Sequence, residues 1–95
     1  MNWEMDIKTF GQYLKLERSL SANSIEAYVH DVELLYQFMN MTYPGVSPVK
    51  VTTKHIQGFL QHINELGLSA HSQARILSGL KGFFHFIHDR NPYDN

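Results

Sequence analysis

The stretch Leu20-Ser21-Ala22-Asn23-Ser24 returns later in the chain as Leu68-Ser69-Ala70-His71-Ser72, and each copy opens a long amphipathic segment. A serine hydroxyl at such a point accepts a hydrogen bond from a free backbone N–H and so marks the start of a helix. We therefore predict long helices that begin after Ser21 and after Ser69. Because a helix start carries free N–H groups and a partial positive charge, two of them in one chain favour binding of an anion, above all phosphate.

The apolar residues that follow the repeated stretch keep the same phase in both copies. Their spacing is the one that places side chains on a single face of a helix. Two matching segments indicate two similar helical hairpins that pack together in an all-α, four-helix bundle. The matched pairs are Tyr28 with Ile76, Val29 with Leu77, Val32 with Leu80, Leu35 with Phe83, Tyr36 with Phe84 and Met39 with Ile87.

The boundaries of the four predicted helices follow from residues that start or stop a helix. Two prolines and a glycine between Tyr43 and Pro48 break the chain after the second helix. Gly67 is expected to close the third helix, and Val49-Lys50-Val51 is expected to form a short extended piece. The helices are expected from residue 2 or 3 to 18, from the Ser21 cap to about 40, from after 52 or 53 to Gly67, and from the Ser69 cap to about 88, before Asn91-Pro92.

Length and composition predict a single folded domain. The chain has 95 residues, of which 43% are hydrophobic and 18% charged, and this suits one modest core. Truncation of a buried residue in such a core is expected to be costly. The residues expected to be buried include Trp3, Ile7, Phe10, Val32, Leu35, Tyr36, Phe59, Leu60, Ile63, Ile76, Leu80, Phe83 and Ile87.

Charge and cysteine content narrow the class of protein. The absence of cysteine removes any disulfide framework and fits an intracellular, cytoplasmic protein. No apolar run approaches the ~18 residues of a membrane span, and the first residues do not resemble a signal peptide, so no membrane contact is expected. The net charge of −1 predicts that the domain alone binds nucleic acid weakly, since a strong binder carries a basic excess.

The fourth predicted helix has a low-relief outer face opposite its apolar stripe, with Arg75 in the middle and Lys81 at the edge. Two glycines on this face, Gly79 and Gly82, each cost about 1 kcal/mol relative to alanine inside a helix. One interpretation is that they let a wide partner approach the backbone, and the other is tight packing between helices. Both interpretations stay open at this point. The face comprises His71, Ser72, Arg75, Ser78, Gly79 and Gly82, with His85 and Lys81 towards its edge.

The corresponding face of the second helix is less suited to a polyanion. It carries Asn23, Ser24, Ala27 and His30, but it also carries Asp31, whose charge would repel phosphate. Only the first two turns are therefore expected to form contact surface. Further along, Leu34 and Phe38 would be exposed on a lone helix, and we expect another element, with helix one as the candidate, to cover them.

No metal site or active site is predicted. The chain has six histidines, but no acidic or cysteine partner completes a set at a known ligand spacing. There is no nucleophile elbow, glycine-rich phosphate loop or HExxH motif. We expect no metal, no cofactor and no catalysis by this chain.

The order of motifs resembles the N-terminal core-binding domain of tyrosine recombinases, the phage-integrase and Xer-type enzymes. The resemblance begins with Tyr13-Leu14 and the run from Glu17 to Tyr28, and it covers about residues 7–92. It continues through Asp31-Val32 and Val51-Thr52 to the run from Gly67 to Phe84, and Asn91-Pro92 resembles the usual close of the domain.

This resemblance implies a SAM-like domain over residues 1–90 that forms one jaw of a clamp around a recombination site. Residues 91–95 would be a linker towards a C-terminal catalytic domain. Helices two and four would lie at the major groove, mostly holding phosphates. Family members often have basic residues where this chain has Val29 and His30, and Tyr28 is shared with the family although its phase makes it core. Carried over by position, the expected DNA contacts are Asn23, Ser24, Ser72, Gln73, Arg75 and Lys81.

The resemblance also implies which partners and which chemistry to expect. In this family a tyrosine attacks a phosphodiester, and that tyrosine and its cationic helpers belong to the separate C-terminal domain. The chain itself is then not an enzyme, and its partners would be double-stranded DNA, its own catalytic domain and other recombinase protomers. The isolated domain is expected to be a monomer. The alternative is a helical protein–protein interaction module with no DNA role, which binding insensitive to salt would indicate.

Overall fold

The computed structural model describes residues 2–90, and this part of the chain is all-α. It contains no strand, and the predicted all-α class is confirmed. No described helix is both long and apolar enough to cross a bilayer. The expected linker over 91–95 and the helix end at Asn91-Pro92 lie outside the described residues. The four α-helices of residues 2–90 are α1 (Trp3–Leu16), α2 (Ala22–Thr42), α3 (Thr53–Glu65) and α4 (Ala70–Arg90).

The two repeated serines start α2 and α4, as predicted. Ser21 Oγ accepts a hydrogen bond from the backbone N–H of Ser24 at 3.2 Å, and Ser69 Oγ accepts one from Ser72 at 3.1 Å. Each bond satisfies one N–H group that has no partner within the helix. The repeat is therefore a pair of equivalent helix starts.

A Schellman motif ends α3. Gly67 has a φ of 92°, a left-handed conformation that glycine adopts without strain. Its N–H donates to the carbonyl of Asn64 at 3.0 Å, and the N–H of Leu68 donates to the carbonyl of Ile63 at 3.2 Å. The role predicted for Gly67 is confirmed, and the tight turn places the start of α4 directly after α3.

The first helix ends earlier than predicted. It stops at Leu16, because Ser19 takes a left-handed φ of 54° and reverses the chain. The N–H of Leu20 then donates to the carbonyl of Leu14 at 3.1 Å and fixes the turn into α2. Arg18 consequently lies in the turn and not on the helix.

The expected extended piece at Val49-Lys50-Val51 is wrong for two of its three residues. Pro48–Lys50 is a single 3₁₀ turn, and Lys50 donates its N–H to the carbonyl of Ser47 at 3.0 Å. Proline at the first position favours this turn because its φ is already fixed near the helical value. Only Val51, which follows the turn, is extended.

The core matches the predicted list with two exceptions. Tyr36 and Leu60 are only half-buried. The Tyr36 ring stacks on Trp3 with centroids 5.6 Å apart, while its hydroxyl donates to Glu4 at the surface. Phe86, which was not predicted, is buried and its ring lies 4.7 Å from that of Tyr13.

Phe38 is buried, but the expectation that helix one covers it is wrong. Its ring lies 5.8 Å from that of Phe59 and 5.3 Å from that of His62, both on α3. Tyr43 closes the same cluster at 6.0 Å. Helix α3 therefore covers Phe38 in the second half of α2, whereas α4 contacts the first half of α2 at Tyr28 and Asp31.

Candidate nucleic-acid interface

Helices α2 and α4 come into close contact at Gly79. A Cβ atom built at this position would lie 2.5 Å from Oδ2 of Asp31 and 3.3 Å from Cδ1 of Tyr28. Gly79 is buried, so it does not belong to the outer face to which it was assigned. Of the two interpretations left open, helix–helix packing is correct for Gly79. Tyr28, expected in the core, is half-buried beside this contact.

Asp31 was also placed on the outer face, and the structure corrects this. Its side chain is fully buried beneath α4 and accepts two hydrogen bonds from Arg75, at 2.8 Å to Oδ1 and 3.1 Å to Oδ2. The placement was wrong because it was based on the periodicity of α2 alone. In the structure α4 packs on this part of α2 and covers Asp31. We call the contact formed by Asp31, Arg75 and Gly79 the α2–α4 seam.

Burial dominates the electrostatics of the seam. Removal of the Asp31 carboxyl from water raises its pKa above the ordinary value of 3.8, although the Arg75 hydrogen bonds and charge act in the opposite direction. The Arg75 side chain is 49% exposed and keeps part of its hydration, so its charge is screened. Asp31 nevertheless binds Nη1 and Nη2 of the guanidinium, and about half of the Arg75 side chain remains exposed to solvent.

The predicted contacts at the two helix starts are accessible. Asn23 is exposed in the first turn of α2, and Ser24 is half-buried beside it. The Ser24 hydroxyl accepts a bond from Ser21 Oγ at 3.1 Å, which leaves its own proton to donate. Ser72 has the same relation to Ser69 at the start of α4, also at 3.1 Å. Both starts thus present serine donors in equivalent geometry.

Gln73 has a different position from the other predicted contacts. Its Nε2 donates to Oδ1 of Asn64 at 3.0 Å and to the carbonyl of Leu68 at 2.9 Å. Both amide hydrogens therefore belong to the turn between α3 and α4. The side chain fastens the start of α4 to the end of α3.

Lys81 is exposed and lines a cleft that the sequence did not reveal. The cleft has a volume of about 350 Å³ and lies where the end of α1, the turn into α2 and the middle of α4 meet. Arg18 lines it together with Lys81, and Gly82 also lines it, on α4. We call it the α1–α4 cleft. Arg18 was missed as a site residue, and its position just before the repeated stretch was the only available signal.

The six histidines do not gather into a ligand set. Among residues 2–90, no group of three or more histidine and acidic side chains is placed to hold a metal ion. His85 and Asp89 are 3.6 Å apart on the surface of α4, both largely exposed. An exposed pair of this kind contributes little to stability.

Comparison with known proteins identifies the family. The model of the phage integrase N-terminal SAM-like domain matches residues 7–91, and the chain belongs to this family. The chain is 36% identical to tyrosine recombinase XerD of Listeria monocytogenes serovar 1/2a over 87% of its own length and 28% of the relative. It is 33% identical to XerD of Chlorobaculum tepidum over 90% of the chain and 27% of the relative.

A related enzyme of the XerC type is similar over nearly the whole chain. Tyrosine recombinase XerC of Oceanobacillus iheyensis is 33% identical over 95% of the chain and 29% of the relative. The chain thus spans less than a third of the length of these relatives. No solved structure matches it significantly. The resemblance to tyrosine recombinases stated from the sequence is confirmed.

Proposed function

We propose that this chain is the DNA-binding domain of a site-specific tyrosine recombinase and that it holds duplex DNA at the recombination site through α2 and α4. The observation that carries the proposal is the family match over residues 7–91. The structure supports it with two equivalent serine-capped helix starts and with accessible polar and basic side chains on these helices. The domain would act in the cytoplasm, on chromosomal or element DNA.

The contacts divide by chemistry. At the starts of α2 and α4, Asn23, Ser24 and Ser72 donate hydrogen bonds to phosphates beside the positive ends of the helices. Arg75 uses the N–H groups that Asp31 leaves free, and Lys81 provides a flexible point charge. In this proposal Gln73 contributes by positioning α4, because its side-chain amide holds the start of α4 against the turn that follows α3.

An NMR titration with short duplex DNA at low salt tests the proposal. We expect shifts of backbone amides in the first two turns of α2 and over residues 69–82, and binding that weakens with salt by a log–log slope of about −0.9 per phosphate contact. Arg75→Ala and Lys81→Ala should each make the slope shallower. Since Arg75 also pairs with Asp31, a thermal melt of each variant separates loss of contact from loss of fold.

Two outcomes contradict the proposal. Shifts confined to a surface away from α2 and α4 would mean that another face binds DNA. Salt-independent binding of a helical peptide with no DNA response would favour the protein–protein interaction module instead. The alternative rested on a face of small residues that could receive another helix. Gly79 is already packed against α2, so of the two glycines only Gly82 has open space above it.

Catalysis lies outside this chain in the proposal. The nucleophilic tyrosine and its helpers would be supplied by a C-terminal catalytic domain, and other protomers would bind the neighbouring site. Residues 1–95 should therefore neither cleave DNA nor attach to it covalently. Incubation with a nicked suicide substrate and denaturing electrophoresis checks this, and a covalent adduct would overturn the division of roles.

A further inference from the structure

The α1–α4 cleft concentrates positive charge in a chain whose net charge is −1. Arg18 and Lys81 line it from different elements, and none of the described residues that line it is acidic. His85 also lines the cleft but lies 3.6 Å from the Asp89 carboxylate, so we assign the positive charge of the cleft to Arg18 and Lys81. A pair of cations without a carboxylate between them is suited to an anion.

The walls of the cleft are aromatic. Tyr13 of α1, Tyr28 of α2 and Phe86 of α4 line it, and the tyrosine and phenylalanine rings of α1 and α4 are in contact at 4.7 Å. Such walls suit the apolar face of a sugar or another flat, weakly polar group. The cleft can therefore take a unit that joins an apolar part to an anionic part.

Gly82 keeps the cleft open on the side of α4. A Cβ atom at this position would meet no atom within 4 Å, so helix packing does not require glycine there. Glycine is unfavourable inside a helix, and close approach of a ligand to the backbone is a physical reason for its presence. Gly79, three residues earlier, has the opposite surroundings and serves packing.

We propose that the α1–α4 cleft binds one deoxyribose-phosphate unit of the DNA backbone, with the phosphate held jointly by Arg18 and Lys81 and the sugar against the aromatic walls. The inference rests on the proposed function and extends its contact surface to α1 and the turn into α2. DNA is favoured over an acidic peptide because the cleft adjoins the outer face of α4: Ser78 of that face and Lys81 at its edge both line the cleft. Asp31 partly neutralises Arg75 on that face. The two cations of the cleft are therefore a stronger positive site than Arg75.

Charge removal with a matched control tests the shared phosphate. The variants are Arg18→Gln, Lys81→Gln and the double variant. The control is Lys15→Gln, an exposed cation at the end of α1 that precedes Arg18 in the sequence and lines a different groove. Each single variant should weaken duplex binding. The double variant should reduce the log–log salt slope by about 0.9, the value for one phosphate, and the control should leave the slope unchanged.

A steric variant gives an independent measurement. Gly82→Leu places a side chain in the open space of the cleft, and we expect weaker DNA binding without a fall in Tm. Gly82→Ala controls for the change in the helix backbone and should bind more tightly than Gly82→Leu. Wild-type affinity in Gly82→Leu would mean that nothing occupies the cleft, and it would overturn the inference.

The outcomes separate this inference from the proposed function. If DNA shifts the amides of α2 and α4 while the double variant keeps the wild-type slope, the cleft proposal fails and the proposed function stands. A slope reduced by about 1.8 would mean two separate phosphates and would overturn the shared contact. If duplex DNA causes no shift at low salt, both proposals fail. Displacement of DNA from the cleft residues by an acidic peptide at equal ionic strength would also overturn the choice of ligand.

Discussion

The α2–α4 seam and the α1–α4 cleft use the same kinds of residue for opposite purposes. In the seam, Arg75 pairs with a fully buried carboxylate, and the space beside Gly79 is already filled by Asp31. In the cleft, Lys81 has no acidic residue beside it among the lining residues, and the space beside Gly82 is empty. An arginine or a glycine on a helix face therefore has no fixed role. The neighbouring element decides whether it stabilises the fold or remains available to a ligand.

The largest expected effect concerns the residue that separates the two regions. Leu80 is 1% exposed and lies between Gly79 and Gly82 on α4. Its burial fixes the rotation of α4 about its axis, and this rotation turns Gly79 inward and Gly82 outward. Leu80→Ala should lower the free energy of unfolding by ~2–5 kcal/mol. Urea denaturation measures this, and an unchanged midpoint would mean that the rotation assigned to α4 is wrong.

Alanine at the two glycines should change stability in opposite directions. At Gly79 the cost of overpacking, ~1–3 kcal/mol, should exceed the gain in helix propensity of ~1 kcal/mol, because the Asp31 carboxylate cannot move freely beneath α4. At Gly82 the same methyl group meets open space, so Gly82→Ala should stabilise by up to about 1 kcal/mol. Paired denaturation curves check the signs, and equal signs would abolish the contrast between seam and cleft.

The two serine caps should have similar and smaller effects. Ser21→Ala and Ser69→Ala each remove the acceptor for one backbone N–H, and each should cost ~0.5–2 kcal/mol. Thermal melts of both variants measure this, with Ser47→Ala as a control because Ser47 makes no side-chain cap bond. Neutral results at both caps would show that seam packing, and not the local helix starts, holds α2 and α4 in place.

The pH dependence of stability tests the electrostatics of the seam. Because the pKa of Asp31 is raised above 3.8, the folded state keeps its proton at pH values where the unfolded state has lost it. The contribution of Asp31 is therefore complete below pH 3.8 and declines as pH rises through the raised value. Relative to Asp31→Asn, the wild type should lose free energy of unfolding as pH rises from about 3.8. A relative gain would mean that pairing with Arg75 outweighs burial.

Much of the fold could be predicted because its signals are local. Ser21, Ser69 and Gly67 act within a few residues of themselves, so their roles in starting and ending helices were visible in the sequence. The turn after Leu16 was harder, since the left-handed Ser19 is a non-glycine residue that no local rule favours. Phe38 was correctly expected to be covered, but the sequence did not indicate that α3 covers it.

The candidate site could be predicted less well, because charge depends on neighbours far apart in the chain. Arg75 was identified as a basic contact and Asp31 as a repelling surface charge, yet the two lie on different helices and pair at 2.8 Å. Arg18 and Lys81 are likewise distant in sequence and line one cleft only after α1 packs on α4. The periodicity of a single helix carries no information about either of these long-range contacts.

The sequence by itself determined the helices, their starts and most of the apolar stripe, since these follow from hydrogen bonds and side-chain spacing within one segment. It also carried the motifs that identify the family. Only the tertiary structure decided which polar residues remain available, because burial, desolvation and pairing are properties of contacts between helices. Gly79 and Gly82 are the same residue on one helix, and the presence of α2 above one and open space above the other separates packing from a candidate binding surface.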